Sequence, residues 1–117
     1  MTLVKKCEIE VKKSKFIAYN YSINSEEEAK VILEELKKEH KKARHIPYAY
    51  KIDNIIRKSD DKEPSNTAGT PIYNLIIKKN LNNTLIVVVR YFGGTLLGAG
   101  LLTRSYAKAA TESTILE

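Results

Sequence analysis

The chain has few of the residues that usually announce a chemistry. One cysteine, Cys7, among 117 residues excludes an internal disulfide framework and any multi-cysteine zinc site. The buried-looking apolar run Leu85–Val89 is five residues, far short of the ~20 that cross a bilayer. The N-terminus, MTLVKKCEIEVKK, offers neither an apolar h-region nor a small-residue cleavage site, so no secretory signal is read there. Only two histidines, His40 and His45, are available as general bases. A cytoplasmic, single-domain chain over residues 1–117 is expected, with no membrane contact.

What is present is charge and patterning. Twenty Lys plus Arg stand against 14 Asp plus Glu, a net charge of +6. Apolar residues make up 43% and charged residues 29%, a globular balance rather than a disordered one. Residues 1–44 carry 11 basic and 8 acidic groups, residues 45–117 carry 9 and 6, so the excess is +3 in each part and forms no basic tail. Such a balance suits a nucleic-acid binder and a soluble Lys-rich protein equally.

Residues 3–12 and Phe16–Ile23 alternate polar and apolar side chains about a short break at Lys13-Ser14, and read as an antiparallel hairpin. Ser25 with Glu28 is a capping box opening a helix. Its apolar stripe is Ala29, Ile32, Leu33, Leu36 and Ala43, with acids at its start and lysines at its end. Period two returns from His45 to Arg57, Pro47 falling at its start. A polar loop, RKSDDKEPSN, follows. Thr70-Pro71 predicts an N-cap and first helical residue, with Ile72, Leu75 and Ile76 buried. Leu85–Val89 reads as a strand buried on both faces. A glycine loop at 93–100 leads to a helix over Leu101–Leu116. The order ββαβαβα predicts a two-layer α+β domain, a four-stranded mixed sheet with helices mainly on one face.

Four of the five glycines, Gly93, Gly94, Gly98 and Gly100, crowd into eight residues before the last helix. With Arg90 before them and Arg104 and Lys108 one helical turn apart after them, they form a candidate anion or nucleic-acid site. A tight turn against the sheet explains the glycines equally well. The loop is not a Walker A motif, since Ala99-Gly100 stands where Lys and Ser/Thr are needed, and it is no dinucleotide fingerprint. Asp60, Asp61 and Glu63 could hold a hard cation, but an exposed loop whose acids cap the next helix is favoured. No metal or cofactor is therefore assigned. His45 becomes a candidate base only where the fold brings it to that acidic loop. Cys7, on the apolar face of its strand, reads as an inert thiol. The pairs Tyr19/Tyr21 and Tyr48/Tyr50 would make a base-stacking platform on an open sheet and core beneath helices, the commoner fate.

SDDKEPSNTAGTPIYNL (Ser59 to Leu75) and VVVRYFGGTLLGAGLLTRSYAKAA (Val87 to Ala110), with KKSKFIA and SEEEAK upstream, resemble the amino-terminal domain of the IMPACT/YigZ family over nearly the whole chain. The resemblance implies a left-handed βαβ fold as in RNase PH and the second domain of a small-subunit ribosomal protein. It implies that longer bacterial members carry a second, ferredoxin-like domain absent from this chain, so a piece of a longer protein is expected. It implies regulation of translation. In eukaryotic relatives this acts on a starvation-responsive kinase pathway, a stress response, through a shared protein partner. In bacterial ones RNA or ribosome binding is the usual suggestion, without a settled catalytic activity. The family's marked positions fall on Ser59, Asp60, Asp61, Glu63, Pro64, Thr67, Ala68, Gly69, Pro71, Arg90, Tyr91, Phe92, the four loop glycines, Leu97, Arg104 and Tyr106. This sequence departs from the pattern at Lys62, where the family has Gly and where φ > 0 becomes harder. It departs again at Leu101, also in place of Gly, and at Pro47, in place of Cys.

Three readings follow. The first is an RNA- or ribosome-binding regulator of translation. The second is an enzyme on a phosphorylated small molecule, which requires the acidic and glycine loops to share one pocket. The third is a protein-docking module, favoured by an exposed apolar patch around Tyr91-Phe92. They rank first, third, second.

Overall fold

A computed structural model describes residues 1–116. The elements run β1 (Thr2–Val11), β2 (Ser14–Ser22), α1 (Glu26–Glu39), β3 (Tyr48–Ile52), β4 (Ile55–Ser59), α2 (Gly69–Lys78), β5 (Thr84–Tyr91) and α3 (Ala99–Glu112). The order is ββαββαβα rather than ββαβαβα. The run expected as one strand from His45 to Arg57 is a hairpin, with Ile52 opposite Ile55 and Asp53 at φ +51 in the turn. Asp-Asn is turn chemistry, and Ile55-Ile56 breaks the alternation that precedes it. The first hairpin turns at Lys12-Lys13, both in the left-handed region (φ +47 and +69) and without the Gly or Asn that such turns favour.

The sheet also corrects the expected four-stranded mixed one. It has five strands in the order β1-β2-β5-β3-β4, and every pairing is antiparallel. The helices lie on both faces, giving three layers instead of two. On one face Ala29, Ile32, Leu33 and Leu36 of α1 pack on Ile17, Tyr19, Leu85, Val87 and Val89. On the other, α2 and α3 pack on Phe16, Ala18, Ile86 and Val88 through Ile72, Ile76, Tyr106, Ala109 and Ala110. Alternate residues of β5 thus serve opposite cores, which is why its sequence is apolar without a break.

This topology fixes a relation of hand. Since β5 is antiparallel to both β2 and β3, β2 and β3 are parallel, and β4 and β5 are parallel about β3 by the same reasoning. The connections β2–α1–β3 and β4–α2–β5 are therefore both crossovers. Rotated into one frame they step the same way along the sheet, yet their helices cover opposite faces. The two crossovers have opposite hands, and one of them departs from the right-handed rule.

The helix starts use different devices. At α1 the Ser25 hydroxyl accepts from Glu28 N (3.2 Å), and Glu28 Oε1 accepts from Asn24 N (3.0 Å), one residue before the usual donor of a capping box. α2 begins at Gly69 rather than at Pro71, so Thr70 is not its cap. Asp60, from the loop after β4, accepts from the Ala68 and Gly69 N–H groups through Oδ1 (3.1 and 2.8 Å). α3 begins at Ala99 and ends at Glu112, short of the expected Leu116, and its N-cap Gly98 offers no side-chain cap.

Gly93 is dictated by packing. A Cβ there would lie 2.1 Å from the Lys13 carbonyl carbon, so the chain leaving β5 presses directly on the first hairpin turn. Gly100 is under no such pressure, because a Cβ would meet only the end of Arg104 at 3.3 Å. Urea unfolding should therefore show Gly93→Ala losing about 2–4 kcal/mol. Gly100→Ala should stay within about 1 kcal/mol of the parent, on the stabilising side.

Candidate functional site

The loop from Ser59 to Gly69 folds on its own acids. Asp60 holds the start of α2 and, through Oδ2, the Asn66 N–H at 2.9 Å. Asp61 accepts from Ile46 N through Oδ2 at 2.6 Å, Ser59 Oγ accepts from Asp61 N at 3.1 Å, and Thr67 Oγ1 donates to Pro64 O. Gly69 packs against the Ser59 backbone, which a Cβ would meet at 2.9 Å. The sequence expectation that Lys62 resists φ > 0 is corrected, since Asp61 and Lys62 both take it (+44 and +70). The loop's hydrogen bonds outweigh a local cost of about 1–2 kcal/mol per residue. With Asp60 and Asp61 spent on backbone donors, no group of three metal-ligating side chains forms among the described residues.

Of the three acids Glu63 alone turns inward, and three side chains from separate parts of the chain meet on it. Arg90, near the end of β5, donates Nη1–H to both its oxygens at 3.0 and 2.8 Å. The Tyr106 hydroxyl of α3 donates to Oε2. His45 Nε2 lies 3.5 Å from Oε1, and His45 Nδ1 donates to the Asp61 carbonyl at 2.7 Å. The fold thus brings His45 to the acidic loop, the condition set for it above. Arg90 is 4% exposed, enclosed by the Phe16 and Phe92 rings at 5.8 and 6.0 Å. Its Nε–H has no hydrogen-bond partner among the described residues. Burial first, and the Glu63 bond second, push the Tyr106 phenol far above its ordinary value of 10.

A cavity of about 160 Å³ opens beside this cluster, lined by Arg44, His45, Glu63, Pro64, Arg90, Phe92, Leu96, Leu97 and Leu102. The acidic and glycine loops share it, through Glu63 on one side and Leu96-Leu97 on the other. The glycines divide. Gly93 serves packing, Gly94 takes φ +91, and a Cβ at Gly98 would meet nothing within 4 Å. Arg104 and Lys108 are exposed on α3, apart from Arg90. Tyr91 is half-buried, its hydroxyl bonded to His40 Nδ1 at 2.6 Å, with Tyr19 on His40 Nε2 at 2.7 Å.

Outside the cavity, sequence reasoning named the Tyr91-Phe92 patch but missed the cations that gather at it. Phe92 is 37% exposed, with the Arg44 guanidinium 4.5 Å from its ring centroid. On its other flank a groove of about 390 Å³ is lined by Glu8, Lys13, Lys15, Ile17, Tyr91 and Phe92. Leu96, at the tip of the glycine loop, is 86% exposed. Nothing in the spacing of Lys13, Lys15, Arg44 and Phe92 announces that they meet. The tyrosine pairs lie on the α1 face of the sheet, with Tyr19 and Tyr50 buried and each pair stacked, so they are mainly core. Cys7 is half-buried against α3, its thiol pushed up by burial.

Comparison with known proteins agrees with this geometry. The Impact N-terminal domain model matches residues 12–114. IMPACT family member YvyE of Bacillus subtilis is 44% identical over 108 residues, spanning 90% of this chain and 50% of that protein. A crystal structure of a hypothetical protein superposes with a TM-score of 0.89 at 33% identity, covering 93% of this chain and 55% of that one. The two-domain translational regulator Yih1 gives 0.58 at 26% identity, covering 96% and 46%. The chain spans about half the length of these relatives. No helix among the described residues is long and apolar enough to cross a membrane.

Two measurements check the buried cluster. Glu63→Ala leaves Arg90 buried and unpaired and should cost about 3–5 kcal/mol in urea unfolding, whereas the Glu63→Leu/Arg90→Met double variant should lose less. Tyr106 keeps its proton in the native state while the unfolded chain ionises near 10. Stability should therefore fall as pH rises past about 10, and Tyr106→Phe should flatten that fall in thermal melts between pH 9 and 11.

Proposed function

The chain belongs to the Impact N-terminal domain family, and on that premise we propose that it serves translation control by binding RNA or the ribosome. The contact surface is the one around Phe92. The observation that carries this reading is the meeting of Lys13, Lys15 and Arg44 on one exposed aromatic ring. These come from three separate stretches of chain, and they combine phosphate-binding charge with a stacking group as single-stranded nucleic acid requires. Glu8 is the one acid in the groove. Arg104 and Lys108, exposed beyond the glycine loop, extend the cationic surface along α3. Support also comes from a structural neighbour described as a translational regulator. The RNase PH and ribosomal-protein fold implied by resemblance is supported by the oppositely handed crossovers, although fold likeness assigns no residue a role.

A second reading has its own observation. Leu96, 86% exposed beside Phe92, is the kind of apolar tip that seats in a protein partner. The enzyme reading keeps the shared cavity, but of its lining only His45 and Glu63 suit proton transfer, and Glu63 is already committed to Arg90 and Tyr106.

Fluorescence anisotropy against tRNA and an rRNA fragment at two salt concentrations separates these. Binding should weaken with salt, and Lys13→Glu/Lys15→Glu/Arg44→Glu should reduce affinity at least about 10-fold and the log–log salt slope by about 2. Phe92→Ala should weaken single-stranded RNA by about 1–3 kcal/mol. Salt-independent or absent binding by a folded parent would sink the RNA reading in favour of the protein partner.

A further inference from the structure

We infer that the groove beside Phe92 seats one guanine of a single-stranded RNA, with the Glu8 carboxylate reading the edge of the base. This deepens the RNA reading above and rests on it, since it names the base that the same surface selects.

The sheet builds the groove in two rows. Directly opposed residues of paired strands point to one face, so Glu8 stands beside Ile17. In the next row Lys15 stands beside Tyr91. Ile17 is buried in the core under α1 and gives the groove an apolar floor. Phe92, 37% exposed, supplies the ring on which a base stacks. The volume, about 390 Å³, lies at the low end of small-ligand sites and suits one nucleotide rather than a helix.

The polar groups facing that space are few and of fixed kind. The Tyr91 hydroxyl is engaged with His40 Nδ1 at 2.6 Å. What remains is one carboxylate, Glu8, and two ammonium groups, Lys13 and Lys15. Among the described residues Glu8 enters none of the ion pairs, although both lysines share its groove. Lys6, two residues back on the same face, lies over the Tyr19 ring instead. The Glu8 carboxylate is therefore open to an incoming donor.

This set of groups selects a base. An ionised carboxylate only accepts hydrogen bonds and an ammonium only donates them. Two donors side by side fill both carboxylate oxygens, and guanine alone of the four bases offers them, at N1–H and N2–H. Its other edge carries the O6 and N7 acceptors that lysine donors meet. Adenine and cytosine place a ring acceptor beside their amino group, where it would face the carboxylate, and uracil flanks its one N–H with two carbonyls. Glu10 is a control within the same strand. It shares the face and lies across from Lys15, yet it is not part of the groove's lining.

The experiment is fluorescence anisotropy of the whole chain with short oligouridylates carrying one central guanine, inosine, adenine or cytosine. The guanine form should bind about 10-fold tighter than the adenine and cytosine forms. Inosine, which lacks the N2 amino group, should lose most of that advantage, and this comparison needs no variant protein. Glu8→Ala should cut the guanine preference to about 2-fold or less. It should leave all-uridine binding at or above the parent's, because a charge that repels phosphate is gone. Glu10→Ala should keep the preference. Both residues are exposed, and thermal melts should show both variants folded. Equal binding of all four bases, inosine matching guanine, a preference that survives Glu8→Ala, or one lost equally with Glu10→Ala would each overturn the inference and leave the RNA surface standing. No RNA binding by a folded parent would overturn both together.

Discussion

The Glu63–Arg90 pair ties together parts of the chain that lie far apart in sequence. Glu63 sits in an irregular loop, Arg90 near the end of the central strand, Tyr106 in the last helix and His45 at an isolated bridge to Arg90. In water such a pair would contribute little. Buried between Phe16 and Phe92 it is retained at a desolvation cost, and removing either partner strands the other. The loop therefore adopts one position, and with it the floor of the cavity. Asp60 and Asp61 extend this order by tying the rest of the loop to backbone donors on α2 and at Ile46.

A division of labour among the charged residues follows. Of those that the family pattern marks, Asp60 and Asp61 hold backbone donors and Glu63 holds Arg90, which together build a rigid frame, while Arg104 faces out. Those on the rim, Lys13, Lys15 and Arg44, are unremarkable in sequence and are left to the solvent. The frame determines where the rim lies. Gly93 presses the end of β5 onto the Lys13 turn, and Arg90 O accepts from Arg44 N at 2.8 Å, so cations distant in sequence are brought to one ring. An oxyanion or a strand of nucleic acid would meet an assembled surface rather than order one on binding.

Local signals were legible and non-local ones were not. Alternation and helical spacing give β1, β2 and β5 close to their true limits, because each rests on its own apolar periodicity; α1 starts as expected but ends at Glu39, four residues before Ala43 of the expected stripe. The hairpin at Asp53-Asn54 is written in its turn dipeptide, but the alternation on either side masks it as one longer strand. The cap of α2 could not be read locally, since Asp60 reaches it from eight and nine residues away, and Thr70-Pro71 imitated a cap at the wrong place. Sheet order and the two-sided placement of helices depend on which strand enters the middle, which no single segment encodes. At the site, the motif residues were visible as types, and only the fold shows that Arg90 faces inward while Arg104 and Lys108 face out.

Of the five strands, the central one is the last to be made. On a ribosome, β1–β2 and β3–β4 emerge as two complete hairpins, and each must wait with an unpaired inner edge until Thr84–Tyr91 clears the exit tunnel and slots between them. The nascent chain thus spends the time needed to make some thirty residues, from Ser59 to Tyr91, with the edges of β2 and β3 open to any strand nearby. A chain released or stalled before β5 would be two sticky ribbons rather than a smaller version of the domain.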